Sequence, residues 1–244
     1  MTQLVTLQAR LLAADGILPE ILSDYGGERF REIFLKLVEK HRPYLETEGV
    51  EISLFHNHDE STGKTLIRYP LIIYHHIGNE FFITGIDAGA DALRLLSNRA
   101  SDLFPINPFL VVGIKLISDV SLDITLSDDR VRYSLINWLP LSQSDMNEFS
   151  KSQLSVKVAI LERKLKTHLE DDFGKYMKLP LKGIRVQIED LLHFDTHRLN
   201  YKNHSYLAFS LIFSANALLP DFITLGNGKA YGFGRVENQD RSNH

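Results

Sequence analysis

The sequence predicts an α+β protein of two tandem ferredoxin-like (RRM-like) domains, residues 1–104 and 105–244. Three observations carry that expectation. Short segments in both halves alternate apolar and polar residues at the two-residue period of a half-buried strand. Between them run apolar stripes at helical spacing. Each half then reads strand, helix, two or more strands, helix or turn, strand, the element order of a split strand–helix–strand sandwich met twice. The residues themselves carry no repeat, so the duplication rests on element order.

In the first half, Val5, Leu7, Ala9 and Leu11 alternate with Thr6, Gln8 and Arg10 and predict a strand. After the turn-rich Ser23 to Gly27, Phe30, Ile33, Phe34 and Leu37 predict a helix that Pro43 is expected to stop. Extended segments follow around Ile52–Phe55, Leu66–His76 and Phe81–Ile86, with turns at Ser61-Thr62-Gly63 and Gly78-Asn79. A short helix, Ala88–Leu96, closes the half. The proline- and asparagine-containing run Ser97–Pro108 is the expected connection between domains.

In the second half, Leu122, Ile124 and Leu126, the turn Ser127–Asp129, and Val131, Tyr133 and Leu135 predict a hairpin. Leu154, Val158, Leu161, Leu165 and Leu169 form a long helical stripe ending near Gly174, with Arg163, Lys164 and Lys166 off it. Ile184, Val186 and Ile188, then Leu207, Phe209, Leu211 and Phe213, give two more strands, and Phe233–Val236 closes the chain as another. Trp138, the single tryptophan, reads as a packing residue at a strand end.

Composition narrows the chemistry. There is no cysteine, hence no disulfide, thiolate metal site or cysteine nucleophile, and a cytoplasmic location is the default. Ser205–Leu219 is broken by Ser210, Ser214 and Asn216 and falls short of the roughly 18–20 apolar residues of a membrane helix. Met1–Leu12 lacks a secretory signal pattern. The net charge of −4 conceals an uneven distribution: Lys151–Asn203 holds eleven basic against seven acidic residues, +4, leaving −8 elsewhere. A phosphate-binding face and a solvated basic helix face both fit that segment.

Two motifs bear chemistry. Thr224 to Val236 places Gly226, Gly228, Gly232 and Gly234 beside Lys229 and Arg235, so backbone N–H groups could cup a phosphate while the cations neutralise it; a tight turn into the last strand is the alternative. The position at the end of the chain and the Gly-x-Gly-x-x-x-Gly spacing fit neither a dinucleotide fingerprint nor a triphosphate loop. His56 and His58, two apart, would face one side of an extended chain and could share a site. Imidazole titrates nearest neutrality and serves as acid or base. Lys64, close by in sequence, is a candidate for stabilising charge. Two metal ligands in His-x-His form are the rival reading of the pair, although the hairpins predicted here do not suit the barrel such hydrolases use.

The run Tyr231-Gly232-Phe233-Gly234-Arg235-Val236 at the end of a glycine-rich loop resembles the CRISPR repeat endoribonucleases of the Cas-six type. Arg68-Tyr69-Pro70-Leu71-Ile72-Ile73-Tyr74, followed by Phe82-Ile83-Thr84-Gly85-Ile86, resembles the first half of their b-like subgroup. The resemblance implies a metal-independent enzyme without cofactors that binds CRISPR repeat RNA and cuts the precursor by 2′-hydroxyl attack, leaving a 2′,3′-cyclic phosphate. It implies catalytic roles for His56, His58 and Tyr69, with His41 near the first helix as the second-ranked histidine. Other CRISPR-associated proteins and a second copy of the chain are candidate partners; no membrane partner is expected. A non-catalytic RNA-binding subunit is the alternative, in which the loop and the basic helix matter and the histidines do not.

Overall fold

The computed structural model describes residues 2–13, 21–57, 62, 69–77, 80–99, 104–106, 109–122, 124–179, 181, 183–193, 197–201 and 204–239. The chain forms two units: Met1–Leu122 with Ala230–Gly232, and Asp123–Lys229 with Phe233–His244. Each contains an antiparallel sheet and helices, the α+β arrangement expected of tandem ferredoxin-like domains.

In the first unit the strands β1 (Thr2–Ala13), β2 (Ile72–Ile77), β3 (Glu80–Ile86), β4 (Phe104–Ile106) and β5 (Phe109–Leu122) take the order β2-β3-β1-β5-β4. The alternation in β1 sends Val5, Leu7 and Ala9 to a core shared with Phe30, Ile33, Phe34, Leu37 and Val38 of helix α1 (Ile21–Thr47). Short helix α2 (Ser53–His56) adds Leu54 and Phe55, and α3 (Ala88–Arg99) adds Ala92, Leu93 and Leu96. An aromatic cluster joins these layers: Phe30 lies 4.7 Å from Phe81, and Phe34 lies 5.8 Å from Tyr74 and 6.4 Å from Phe55, between ring centroids. Burying each such phenyl group stabilises the fold by about 1.5–3 kcal/mol, so α2 is held by its two apolar residues rather than by length.

The second unit has the sheet order β11-β6-β10-β7, from β6 (Leu126–Trp138), β7 (Val186–His193), β10 (Phe209–Ala217) and β11 (Arg235–Asn238). The short strands β8 (Arg198–Tyr201) and β9 (His204–Leu207) pair separately. Helix α4 (Gln143–Lys151) starts at a reciprocal capping box between Ser142 and Asp145. Helix α5 (Leu154–Leu169) buries Ile160, Leu161, Leu165 and Leu169 and continues into a π-helical turn, Glu170–Tyr176.

Several expectations are corrected. Ser23–Gly27 lies inside α1, and Pro43 does not stop that helix. Buried Leu37, Val38 and Leu45 anchor it on both sides of an exposed proline, whose carbonyl accepts a 2.8 Å bond from Thr47 Oγ1. Ile52–Phe55 is helical in its last three residues, not extended: Leu54 and Phe55 are both buried, which one turn of helix permits and alternation does not. Of Leu66–His76 only Ile72 onward is strand, residues 66–68 lying outside those described. Within Ser97–Pro108, Phe104–Ile106 pairs with β5 instead of forming a free connection. Ser127–Asp129 lies within β6, and Leu122 and Leu126 belong to different sheets, so the predicted hairpin is absent. Because β5 pairs with β1 along its length, the first unit extends to Leu122, past the expected boundary near 105.

Candidate active site

Helix α2 has one turn, so its last carbonyls find partners outside it. Asn57, in the left-handed region at φ 50°, ends it by donating its N–H to Ser53 O at 2.9 Å. The Tyr74 hydroxyl donates to Phe55 O at 2.9 Å. Burial pushes the Tyr74 phenol up, with the nearby Arg31 cation opposing, so it stays protonated and remains a donor. Arg31 Nη2 donates to His56 O at 2.6 Å. Two pegs thus fix the backbone that carries His56.

Arg31 also reaches a segment 200 residues further along the chain. Its Nη1 donates to the Tyr231 hydroxyl at 2.6 Å, and its guanidinium carbon lies 4.8 Å from that ring's centroid. Tyr231 sits in Ala230–Gly232, the three residues of the glycine-rich stretch that belong to the first unit. Gly232, at φ +81°, makes this approach feasible: a Cβ there would stand 2.6 Å from Tyr74 O and 2.7 Å from His75 Cβ.

The structure places the sequence-predicted residues as follows. His56 ends α2, half-buried, where its charge adds to a stronger effect: Arg42, first through its hydrogen bond, holds the Glu39 carboxyl below the usual range. His58 and Lys64 lie outside the described residues. Tyr69 is 2% exposed, and His41 is half-buried on α1. Gly226, Gly228 and Gly234 all have positive φ and lie against Trp138, Phe233 and Leu225 of their own unit. Lys229 Nζ meets Asp172 Oδ1 at 2.6 Å, and Arg235 Nε meets Glu237 Oε1 at 2.7 Å, so both cations of the loop face carboxylates of the protein itself. On α5, Lys164 pairs with Asp145 at 2.8 Å. Among the described residues no group of three or more His, Asp and Glu side chains is placed to hold a metal ion.

Near Lys229 the second unit buries two titrating groups with opposite tendencies. Burial pushes Asp172 up to about 6, against the pull of Lys229. Burial, helped by the Lys229 and Lys164 cations, pushes His168 down to about 4, and its bare Nδ1 accepts the Trp138 indole N–H at 3.2 Å. His168 makes the folded chain bind fewer protons than the unfolded one over about pH 4 to 6.5, so its contribution is lost as pH falls. Asp172 makes the folded chain bind more over about pH 4 to 6, so its contribution grows as pH falls. The two offset each other in the parent. Asp172→Asn removes the second, and thermal melts across about pH 6.5 to 4.5 are expected to show a stability loss about 2 kcal/mol larger than the parent's. Equal pH slopes in the two proteins would refute this.

Sequence reasoning missed Arg31 altogether and gave Tyr231 no role. A signal for Arg31 existed: it stands three residues before Phe34 and seven before Val38, on the apolar face of α1, and is only 9% exposed. A cation on such a face needs a built partner.

Comparison with known proteins agrees with this architecture. A family model of the Cas6b N-terminal domain matches residues 28–107, and one of the Cas6b C-terminal domain matches residues 125–239. Among solved structures, the chain is similar to a crystal structure of Cas6b, at 17% identity over 98% of this chain and 100% of the other, with TM-score 0.70. It is similar to the CRISPR RNA processing endoribonuclease Cas6b, at 17% identity over 97% and 99% of the two chains, with TM-score 0.62. It is also similar to Csf5, a type IV Cas6 crRNA endonuclease, at 16% identity over 98% and 99%, with TM-score 0.59. No curated protein matches the chain in sequence. With both domain models matched in order over most of its length, the chain belongs to the Cas6b family of CRISPR-associated endoribonucleases.

Proposed function

We propose that the chain binds CRISPR repeat RNA and cuts precursor CRISPR RNA without a metal ion. A base takes the proton of the 2′ hydroxyl, the 2′ oxygen attacks the adjacent phosphorus, and an acid protonates the departing 5′ oxygen. The products are a 2′,3′-cyclic phosphate and a 5′ hydroxyl. His56 and His58 divide the base and acid roles, imidazole being able to give or take a proton near neutrality. Lys64 stabilises charge at the phosphate. Tyr69, at 2% exposure, takes a supporting place rather than one touching RNA. The glycine-rich stretch, Gly226, Gly228, Lys229, Gly232, Gly234 and Arg235, lies along the RNA backbone.

The observation that carries this reading is that Arg31 bonds both the His56 carbonyl and the Tyr231 hydroxyl, joining the histidine-bearing turn to the glycine-rich stretch within one unit. Family membership favours it over a metal-dependent hydrolase. The test is incubation of the purified chain with its repeat RNA in EDTA, followed by analysis of the product ends. Cleavage leaving a 2′,3′-cyclic phosphate is the expected result. Cleavage only on adding a divalent metal would refute the metal-free mechanism, and binding without cleavage would favour the non-catalytic alternative. No helix among the described residues is long and apolar enough to cross a membrane.

A further inference from the structure

We propose that Arg31 is a positioning residue for RNA cleavage, one guanidinium setting the carboxy-terminal end of α2 and the Tyr231 phenol in a single register. The inference rests on the assignment of His56 to proton transfer. Arg31 contacts no reacting atom in this scheme; it acts through the backbone of His56 and the hydroxyl of Tyr231.

The geometry favours this over a generic helix cap. A cap on the end of α2 would engage Arg31 through the His56 carbonyl alone, the neighbouring Phe55 carbonyl being served by Tyr74. Arg31 instead uses separate Nη atoms, each at 2.6 Å, on acceptors from segments far apart in sequence, while its guanidinium faces the Tyr231 ring. A guanidinium at 9% exposure on the apolar face of α1 is costly to desolvate, and its two Nη hydrogen bonds offset that cost. Arginine suits the task because its planar fork fixes two acceptors at a set separation and angle. A lysine carries the same charge on a single nitrogen and cannot hold both at that spacing. A small displacement of the His56 backbone matters because proton transfer demands heavy-atom distances within hydrogen-bond reach.

The test compares Arg31→Lys, Tyr231→Phe, their double variant and His56→Ala with the parent. Cleavage of labelled repeat RNA is measured in single turnover at saturating protein. Affinity is measured on RNA bearing a 2′-deoxy sugar at the cut site, and each variant is melted. Arg31→Lys is expected to cut roughly 10- to 100-fold more slowly with affinity within about threefold of the parent. The double variant is expected to cut within about threefold of Arg31→Lys alone, because both changes break one linkage. Arg31→Lys cutting at the parental rate at saturating protein, while His56→Ala is inactive, would overturn the proposal, because any remaining defect would then lie in RNA affinity. If His56→Ala itself cuts at the parental rate, it is the histidine assignment beneath the proposal that fails. Should Arg31→Lys melt far below the parent, Tyr231→Phe decides. It removes one hydroxyl, and a parental cleavage rate in that variant overturns the linkage.

Discussion

Replacing both His56 and His58 with alanine is expected to slow single-turnover cleavage of repeat RNA by about 10²- to 10⁴-fold, the contribution of positioned proton-transfer groups. The losses of the two single variants should not sum to that of the double, since groups that act as a unit are not additive. Affinity for uncut RNA should change little. The fold has a reason to survive: α2 is anchored by buried Leu54 and Phe55, and its end is held through the carbonyls of residues 55 and 56, which alanine retains. A double variant that cuts at the parental rate ends the histidine assignment. One that also loses affinity assigns the pair to RNA binding.

Gly232→Val should do comparable damage by a different route. The residue lies at φ +81°, where a β-branched side chain costs about 1–3 kcal/mol in backbone strain alone. Its new Cβ would fall 2.6 Å from the Tyr74 carbonyl, and that backbone cannot retreat because Tyr74 is paired with Ile83 across β2 and β3. The stretch must lift away, taking the Tyr231 hydroxyl from Arg31. At roughly 2–4 °C per kcal/mol, a melting temperature lower by about 4–10 °C is expected, together with a clear fall in cleavage. Gly49→Val is the matched control. Gly49 lies at φ +80° with nothing within 4 Å of a Cβ added there, so it shares the strain and lacks the collision. If both variants melt alike and both cut at the parental rate, close packing of the glycine against β2 has no functional weight.

Where one apolar face dominates, the sequence was readable. The alternation of Val5, Leu7 and Ala9 and the spacing of Phe30, Ile33, Phe34 and Leu37 have a direct cause in a core they share. What misled were local signals overridden from a distance. Ser127–Asp129 has turn composition, yet β6 runs through it, its exposed polar residues being tolerated where the strand faces solvent. Phe104–Ile106 contains Pro105 and is followed in sequence by Asn107 and Pro108, and still becomes a strand, because β5 offers it an edge. Helix α2 is too short for any period to show.

The candidate site was legible only as residue types. The histidines and the glycine-rich stretch stood out by composition, but the side chain that joins them did not, since nothing in the spacing of Arg31 and Tyr231 ties two residues so distant. Nor could spacing foretell that Lys229 would meet Asp172, because an ion pair between distant residues depends on which elements become neighbours, whereas Arg235 and Glu237 stand two apart on β11 and share one face of it.

The assignment of Ala230–Gly232 to the first unit has a practical consequence for dissecting the protein. No single scission yields two complete halves. A fragment ending at Leu122 lacks the tyrosine on which Arg31 closes, and the complementary fragment carries three orphan residues in the middle of its last loop. Split versions should therefore regain activity only when both pieces are mixed, and a permutation that opens the chain between Lys229 and Phe233 should be the least tolerated of all.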